Sequence, residues 1–335
     1  MEKEYLRMKI SVALCTYNGE SFLKDQLSSI INQSLPPDEL IIGDDHSTDR
    51  TNEIIDSFKI SCPFPVTVYR NPVNLGSTKN FEKAVQLCHG DIITFADQDD
   101  VWKPQKLEII SRVFIAYPNI GYAFSNAELV DAELKSLGMN LWESLGFTDK
   151  ELQDYLGGRQ LEVLLKQNVV TGATMAFRAF LKDLVLPFSG NWIHDGWIAM
   201  LASIVGIQGL PIPESLVLYR QHSKQQLGEY RQSYWDIVNN SLRISADDFG
   251  KLASACQEVE ERIIARHPGL NPTQYGRIEL LERKINHFLK RKLIHSSSGF
   301  LRFKTILNEV KFRNYQSFSC GWLSIGRDLF FKHRY

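Results

Sequence analysis

The sequence has 335 residues, 44% hydrophobic and 23% charged, with 38 Lys or Arg against 39 Asp or Glu and a net charge of −1. At roughly 150 residues per domain this is two domains' worth of chain, enough to bury a sizeable core, and 21 Gly and 12 Pro exclude a collagen-like or low-complexity protein. The longest apolar stretch in a helical pattern, Trp197 to Ile207, falls short of the roughly 20 residues of a membrane-spanning helix.

The first ten residues, MEKEYLRMKI, lack the apolar core and small-residue cleavage site of a secretory signal, which points to a cytoplasmic protein. Five cysteines, Cys15, Cys62, Cys88, Cys256 and Cys320, are scattered and never spaced as C-x-x-C, a pattern of reduced thiols rather than of a disulfide framework or zinc site. From Lys9 to Asp97, short β-branched runs alternate with amphipathic stretches. Strands are predicted at Lys9–Leu14, Glu39–Gly43, Val66–Arg70 and Asp91–Ala96. Helices are predicted over Glu20–Gln33, Thr48–Phe58 and Ser77–His89, with Ser47 as N-cap of the second. Such alternation implies a parallel α/β sheet, whose ligands bind beyond the carboxyl ends of its strands. The residues following those ends are Thr16-Tyr17-Asn18, Asp44-Asp45 and Asp97-Gln98-Asp99-Asp100.

Pro104 opens a further helix to about Tyr117, and Gly121–Asn126 reads as a fifth strand. Periodicity weakens over residues 131–158, as in an excursion or flap. Beyond it come a helix around Leu161–Gln167, a strand at Ala173–Arg178, a helix from His194 to about Val205 and a strand at Ser215–Gln221. From about Tyr230 the pattern is mostly helical, broken near Pro268 to Pro272 and Ser296 to Gly299. The predicted organisation is a catalytic domain over 1–228, with a nucleotide-binding half of about 8–126 and an acceptor half of about 127–228, followed by a helical region over 229–335.

The segment ADQDD, Ala96 to Asp100, packs three carboxylates into four residues at the ligand edge of the sheet. Their repulsion favours a cation, and hard ions such as Mn²⁺ or Mg²⁺ take one or two carboxylates together with substrate phosphates and water. The structural alternative is that Asp97 caps a turn while its neighbours are solvated. Asp44 and Asp45 also follow a strand and are placed to accept a hydrogen bond from a nucleobase imide, or else decorate the start of a helix. Neither G-x-G-x-x-G nor G-x-x-x-x-G-K-[ST] follows the first strand, so neither a Rossmann dinucleotide site nor a P-loop is indicated. The combination suggests a nucleoside diphosphate held through a metal.

The ordered segments SVALCTYNGESFLKDQLSSIINQS, ELIIGDDHSTDRT, NLGSTKNFEKAV and GDIITFADQDDVW resemble the nucleotide-binding half of family 2 glycosyltransferases of the GT-A fold. Further on, TGATMAF (Thr171–Phe177), WIHDGW (Trp192–Trp197) and YRQH (Tyr219–His222) are similar to the acceptor-side motifs of that family, and DQDDVW with YRQH leans toward its rhamnosyltransferase-like branch. The resemblance covers roughly residues 8–225. It implies a mostly parallel central sheet flanked by helices with a helical C-terminal appendage, and a nucleoside pocket lined by Thr16, Tyr17, Asn18 and Glu20, with the base held by Asp44 or Asp45. Gly76 and Lys79 would approach the nucleotide. Asp97 and Gln98 would lie at the ribose or sugar, Asp99 on the metal, and His222 on the metal or diphosphate. Asp195 would activate the acceptor, in a pocket with Trp102, Thr171, Gly172, Trp192, His194 and Trp197. Two positions depart from the family pattern: His46 replaces a glycine, and His194 replaces an acid.

The implied reaction is an inverting, metal-dependent transfer of a sugar from a nucleoside diphosphate donor, dTDP-rhamnose or a UDP-sugar, to a hydroxyl of a glycan or lipid-linked glycan in cell-surface polysaccharide synthesis. Desolvation of Asp195 at a helix start would raise its pKa toward that of a useful general base, and a helix cap is the structural alternative. Two other functions stay open on sequence: a sugar-phosphate nucleotidyltransferase, and a non-catalytic sugar-binding subunit of a glycan assembly complex.

Residues 280–335 carry 12 Lys or Arg against 3 acids, a charge of +9, leaving −10 for residues 1–279. This basic segment, with Trp322, Phe330 and Phe331, suits an anionic membrane surface, the inner face of the plasma membrane, while apolar faces of its helices would suit a homo-oligomer; a solvated basic face is the plainer alternative. Nucleic acid is set aside, because the acidic body would repel phosphates. His89, His267, His287, His295 and His333 show no partner spacing and read as structural.

Overall fold

The computed structural model describes residues 8–222, 245–267 and 269–330. They form two compact units: 8–152, 170–202 and 207–222 in one, and 153–169, 203–206 and the helices from 245 onward in the other. The boundary predicted at 228/229, the first part of the predicted helical region, Phe331 and His333 lie outside the described residues.

The first unit is built on a single mixed sheet of nine strands among the described residues. β1 (Ile10–Thr16), β2 (Glu39–Asp44), β3 (Val66–Arg70) and β4 (Ile92–Asp97) are parallel, in the order β3-β2-β1-β4. β1 is buried along its whole length, as a strand covered on both faces must be. The covering helices owe their inner faces to spacings of three and four: α1 (Leu23–Ile31) buries Leu23, Gln26, Leu27 and Ile30, and α3 (Ser77–Leu87) buries Asn80, Phe81, Ala84 and Val85. Between them in the chain lies α2 (Thr51–Ser61). It starts later than predicted, and Ser47 does not cap it. The segment before it is instead tied to the loop after β1, with Ser47 Oγ accepting from the Asn18 amide at 2.8 Å and Asn18 Oδ1 accepting from the Thr48 amide at 2.9 Å.

Beyond β4 the sheet changes direction. Two short elements follow it, β5 (Val101–Trp102) and the helix α4 (Lys106–Ala116), then β6 (Ile120–Val130). The segment 131–158 is more ordered than its weak periodicity predicts: β7 (Ser136–Asn140) pairs antiparallel with β6, and α5 (Leu141–Leu145) starts on an Asn140–Glu143 capping box. β8 (Met175–Arg178) lies antiparallel between β4 and β6. β9 (Gln208–Arg220) runs parallel to β6 and pairs antiparallel with β5, matching Val101 to Leu218 and Trp102 to Val217. That last pairing brings the end of β9 to the loop between β4 and β5.

In the second unit, α6 (Ala246–Arg266), α7 (Pro272–Ser296), α8 (Gly299–Lys311), α9 (Asn314–Phe318) and α10 (Trp322–Phe330) follow one another. Ser245 and Asn271 close capping boxes on the first two, and Ile294, Ile306, Tyr315 and Ile325 form a core cluster. Part of the basic segment is turned inward. Asp328, fully buried, receives Arg291 at 2.8 and 2.9 Å, His295 at 3.0 Å and the Tyr315 hydroxyl at 2.8 Å. His287 bridges Glu309 and Ser319 at 2.5 and 2.9 Å. Both histidines therefore have structural partners far away in sequence.

Candidate active site

Strand register gathers the predicted residues at one edge. Thr16 pairs with Asp44 and Cys15 with Asp97, so the carboxyl ends of β2, β1 and β4 stand side by side. Gln98 closes the loop after β1: its Oε1 accepts from Thr16 Oγ1 at 2.5 Å and from the Tyr17 amide at 2.9 Å, and its Nε2 donates to the Tyr17 carbonyl at 3.1 Å. The Tyr17 ring is left 47% exposed. Asn18 takes a left-handed backbone (φ 48°), which asparagine tolerates.

Asp44 and Asp45, both buried, do different work. Asp45 accepts from Asn71 Nδ2 and the Leu75 amide on one oxygen, each at 2.9 Å, and from the Gly76 amide on the other at 2.8 Å, fixing the loop that leads into α3. Gly76 adopts φ 83°, a conformation suited to glycine. Asp44 accepts from the Ser47 amide and Asn52 through Oδ2, and its Oδ1 is buried without a hydrogen-bond partner. His46, at the departure from the family glycine, has φ 69° and so carries the left-handed strain that glycine would avoid.

The acidic loop after β4 is held from β9. Arg220 is 2% exposed; its amide donates to Asp100 Oδ1 at 3.0 Å, its Nε to the Asp99 carbonyl at 2.6 Å, and its Nη2 to Asp25 at 2.9 Å. Two residues further, His222 Nε2 meets Asp99 Oδ2 at 2.9 Å. Burial, then the charges of Asp99 and Asp195, push Asp97 up to about 7, with Lys106 opposing. Asp100 is raised well above the usual carboxylate range, first by burial and then by Asp99 and Asp97; its Oδ2 has no hydrogen-bond partner. The Tyr219 phenol is likewise pushed up by burial and then by Asp100, Asp97, Asp99 and Asp195. One electrostatic neighbourhood thus contains Asp97, Asp99, Asp100 and Asp195.

Asp195 lies in the first turn of the helix His194–Val205 and is 6% exposed. Its Oδ2 accepts the Gly172 amide at 2.7 Å, and its Oδ1 faces the Gly196 amide. The positive end of the helix dipole favours an anion here. Gly172 is required by close approach: a Cβ there would come within 2.7 Å of His194 Nε2 and 3.4 Å of Asp195 Oδ2. His194 is 5% exposed and stands among Phe81, Phe95 and Phe188, with neither ring nitrogen hydrogen-bonded. Burial draws its pKa down to about 3, so the ring is neutral.

Other predicted pocket residues are committed elsewhere. Trp197, 1% exposed, donates from Nε1 to the Val185 carbonyl at 2.8 Å; Trp102, 3% exposed, lies beneath the Lys106 ammonium at 3.7 Å. Trp192 remains half-buried, and Thr171 precedes the tight turn Gly172–Thr174. Lys79 is bound to Glu82 at 2.8 Å and the Phe188 carbonyl at 2.7 Å, and Glu20 to Arg50 at 3.3 Å. The sequence does not single out Lys106, and it marks Tyr219 and Arg220 only as part of YRQH. Burial lowers the Lys106 ammonium to about 7 against the pull of Asp100 and Asp97, and its Nζ donates to the Ala173 carbonyl at 2.7 Å. A signal existed in its place on the apolar face of α4, four residues before Ile110.

Among the described residues no group of three or more His, Cys, Asp or Glu side chains is arranged around a metal position. Asp99 and His222 supply one carboxylate oxygen and one imidazole nitrogen, which suits a divalent ion that completes its shell with phosphate oxygens and water.

The model of glycosyl transferase family 2 matches residues 11–184. This chain belongs to that family. It is similar to the dTDP-rhamnosyl transferase RfbG of Shigella flexneri, 38% identical over 223 residues, covering 64% of this chain and 73% of the relative. It is also similar to the abequosyltransferase RfbV of Salmonella typhimurium, 27% identical over 286 residues, covering 79% and 83%. In fold it resembles residues 1–349 of S. aureus TarS bound to UDP-GlcNAc, with a TM-score of 0.55 at 17% identity over 98% of this chain and 93% of that one. The mannosyltransferase PcManGT of Pyrobaculum calidifontis, bound to GDP-Man and Mn²⁺, gives 0.52 at 14% identity over 97% and 86%. The chain is a family 2 glycosyltransferase with a GT-A fold, and nucleotidyl transfer is set aside.

Proposed function

We propose that this glycosyltransferase moves a sugar, with inversion, from dTDP-rhamnose or a UDP-sugar to a hydroxyl of a glycan or lipid-linked glycan in cell-surface polysaccharide synthesis. The observation that carries this reading is the buried Asp195, fixed by the Gly172 amide at 2.7 Å, in the same electrostatic neighbourhood as the strand-end carboxylates Asp97 and Asp99. The 38% identity to a dTDP-rhamnosyl transferase supports the donor class. In this reading the acceptor hydroxyl gives its proton to Asp195 as its oxygen bonds to the anomeric carbon. The bond from that carbon to the diphosphate oxygen breaks, and its electron pair leaves with the nucleoside diphosphate. Thr16, Tyr17 and Gln98 form the wall beside the nucleoside, Asp44 or Asp45 holds the base, and Asp97 meets the ribose or sugar. Asp99 and His222 would hold Mn²⁺ or Mg²⁺. Such an ion, when bound, neutralises charge developing on the diphosphate.

Release of nucleoside diphosphate from a panel of UDP-, dTDP- and GDP-sugars tests this, with Mn²⁺, Mg²⁺ or chelator, beside Asp99→Asn and Asp195→Asn. The expected result is metal-dependent release from one donor, lost in Asp99→Asn. Acceptor transfer should fall at least about 10²-fold in Asp195→Asn, the lower end of what a general base contributes. Silence across the panel with no nucleotide binding by calorimetry would favour a non-catalytic subunit, and full activity in chelator would remove the metal.

A further inference from the structure

A helix at a protein surface ordinarily turns its charges to water and its apolar stripe inward. In the second unit α8 and α10 pack Ile306 and Ile325 inward but also carry apolar side chains on their outer faces. α8 buries Ile306 and Glu309, while Phe300, Phe303 and Leu307, one face by their spacing, are 81%, 52% and 51% exposed. α10 buries Ser324, Ile325, Arg327 and Asp328 and turns out Trp322, Leu329 and Phe330, which are 76%, 38% and 80% exposed. The helices are linked directly, Arg302 on α8 donating to the Asp328 carbonyl at 3.0 and 2.8 Å. Single exposed apolar side chains are ordinary, but six on two linked helices mark an interaction surface.

The charge around it identifies the partner. Lys304 and Lys311 are exposed and share the α8 face with Phe300 and Leu307. Of the three acids in this segment, Glu309 and Asp328 are fully buried, so only Glu282 reaches the surface. We infer that this face docks on an anionic lipid bilayer, the aromatic rings entering the interface and the lysines meeting the headgroups. A second copy of the chain fits less well, because a two-fold contact would set each lysine-bearing face against its own like charge. No described helix is long and apolar enough to cross a membrane, and the docking is interfacial. Joined to the transferase reading, docking would keep the enzyme where a lipid-linked acceptor lies, but the surface stands without that reading.

The test is flotation of the full-length protein with vesicles of phosphatidylcholine alone or mixed equally with phosphatidylglycerol, at low and high salt. Binding is expected only to the anionic vesicles and should weaken with salt. Lys304→Glu with Lys311→Glu should lower it by about fivefold or more for each lysine lost, and Phe300→Ser with Trp322→Ser by about tenfold or more. Wild-type melting temperatures in both pairs of variants would show the fold intact. No binding to anionic vesicles at low salt, or binding that neither pair changes, overturns the proposal. So does a dimer in sedimentation that Phe300→Ser with Trp322→Ser dissociates while vesicles bind nothing. Nucleotide release in solution is read separately: its absence would sink the transferase reading and leave the docking surface standing.

Discussion

At Gly172 the chain passes so close to His194 and Asp195 that a single methyl group decides the geometry. Gly172→Ala should leave the enzyme folded but displace Asp195, and displacements of about an ångström at a catalytic group cost on the order of 10²-fold in rate. The check is donor-to-acceptor transfer beside a thermal melt; wild-type activity would show that the turn yields freely. His194 makes a second residue-scale prediction. Its pKa is drawn from 6.5 down to about 3 by burial, so unfolding takes up a proton between those values. Its contribution to stability is complete above pH 6.5 and is lost as pH falls toward 3, with a slope of at most about 1.4 kcal/mol per pH unit. Urea unfolding of wild type and His194→Phe between pH 5 and 7 measures this, and equal slopes would refute the assignment.

Two elements depend on buried charge rather than on apolar packing. Arg220 closes the end of β9 onto the acidic loop after β4. Arg220→Ala should therefore reduce nucleotide release by about tenfold or more, by freeing the Asp99 carbonyl from the side chain while the backbone amide still meets Asp100. Its stability cost should be about 1–3 kcal/mol, that of hydrogen bonds made by a charged group, because Asp25 is half exposed and is left in water. In the helical unit, Asp328→Ala would strand Arg291 in the interior, with a loss of about 3–5 kcal/mol, the cost of breaking a buried pair. Denaturant midpoints decide both. An Asp328→Ala protein as stable as wild type would mean that Arg291 finds water when its partner is gone.

For the whole molecule, ligand linkage gives the simplest prediction. A nucleoside diphosphate with Mn²⁺ at about a hundred times its dissociation constant should stabilise the folded state by about 2.7 kcal/mol. The rise in melting temperature should shrink with chelator and in Asp99→Asn; an identical rise in all three would mean that the nucleotide binds without the ion.

How much of this was legible in the sequence follows the range of the interactions. The strands β1 to β4, the helices between them and the acidic residues at their ends were readable, because period-two and period-three-to-four patterns record which face is buried over a few residues. The same locality explains the errors. Ser47 has the chemistry of a cap but is spent on Asn18, 29 residues away. The two-residue β5 is too short to show a period. Only the tertiary structure could hold Asp195 on the amide of Gly172, bury Arg291 against Asp328, and leave Phe300 and Trp322 exposed on α8 and α10. Sequence fixes what each residue offers; which neighbour takes the offer depends on strand pairing and helix packing, and those bring together groups whose separation in the chain carries no signal.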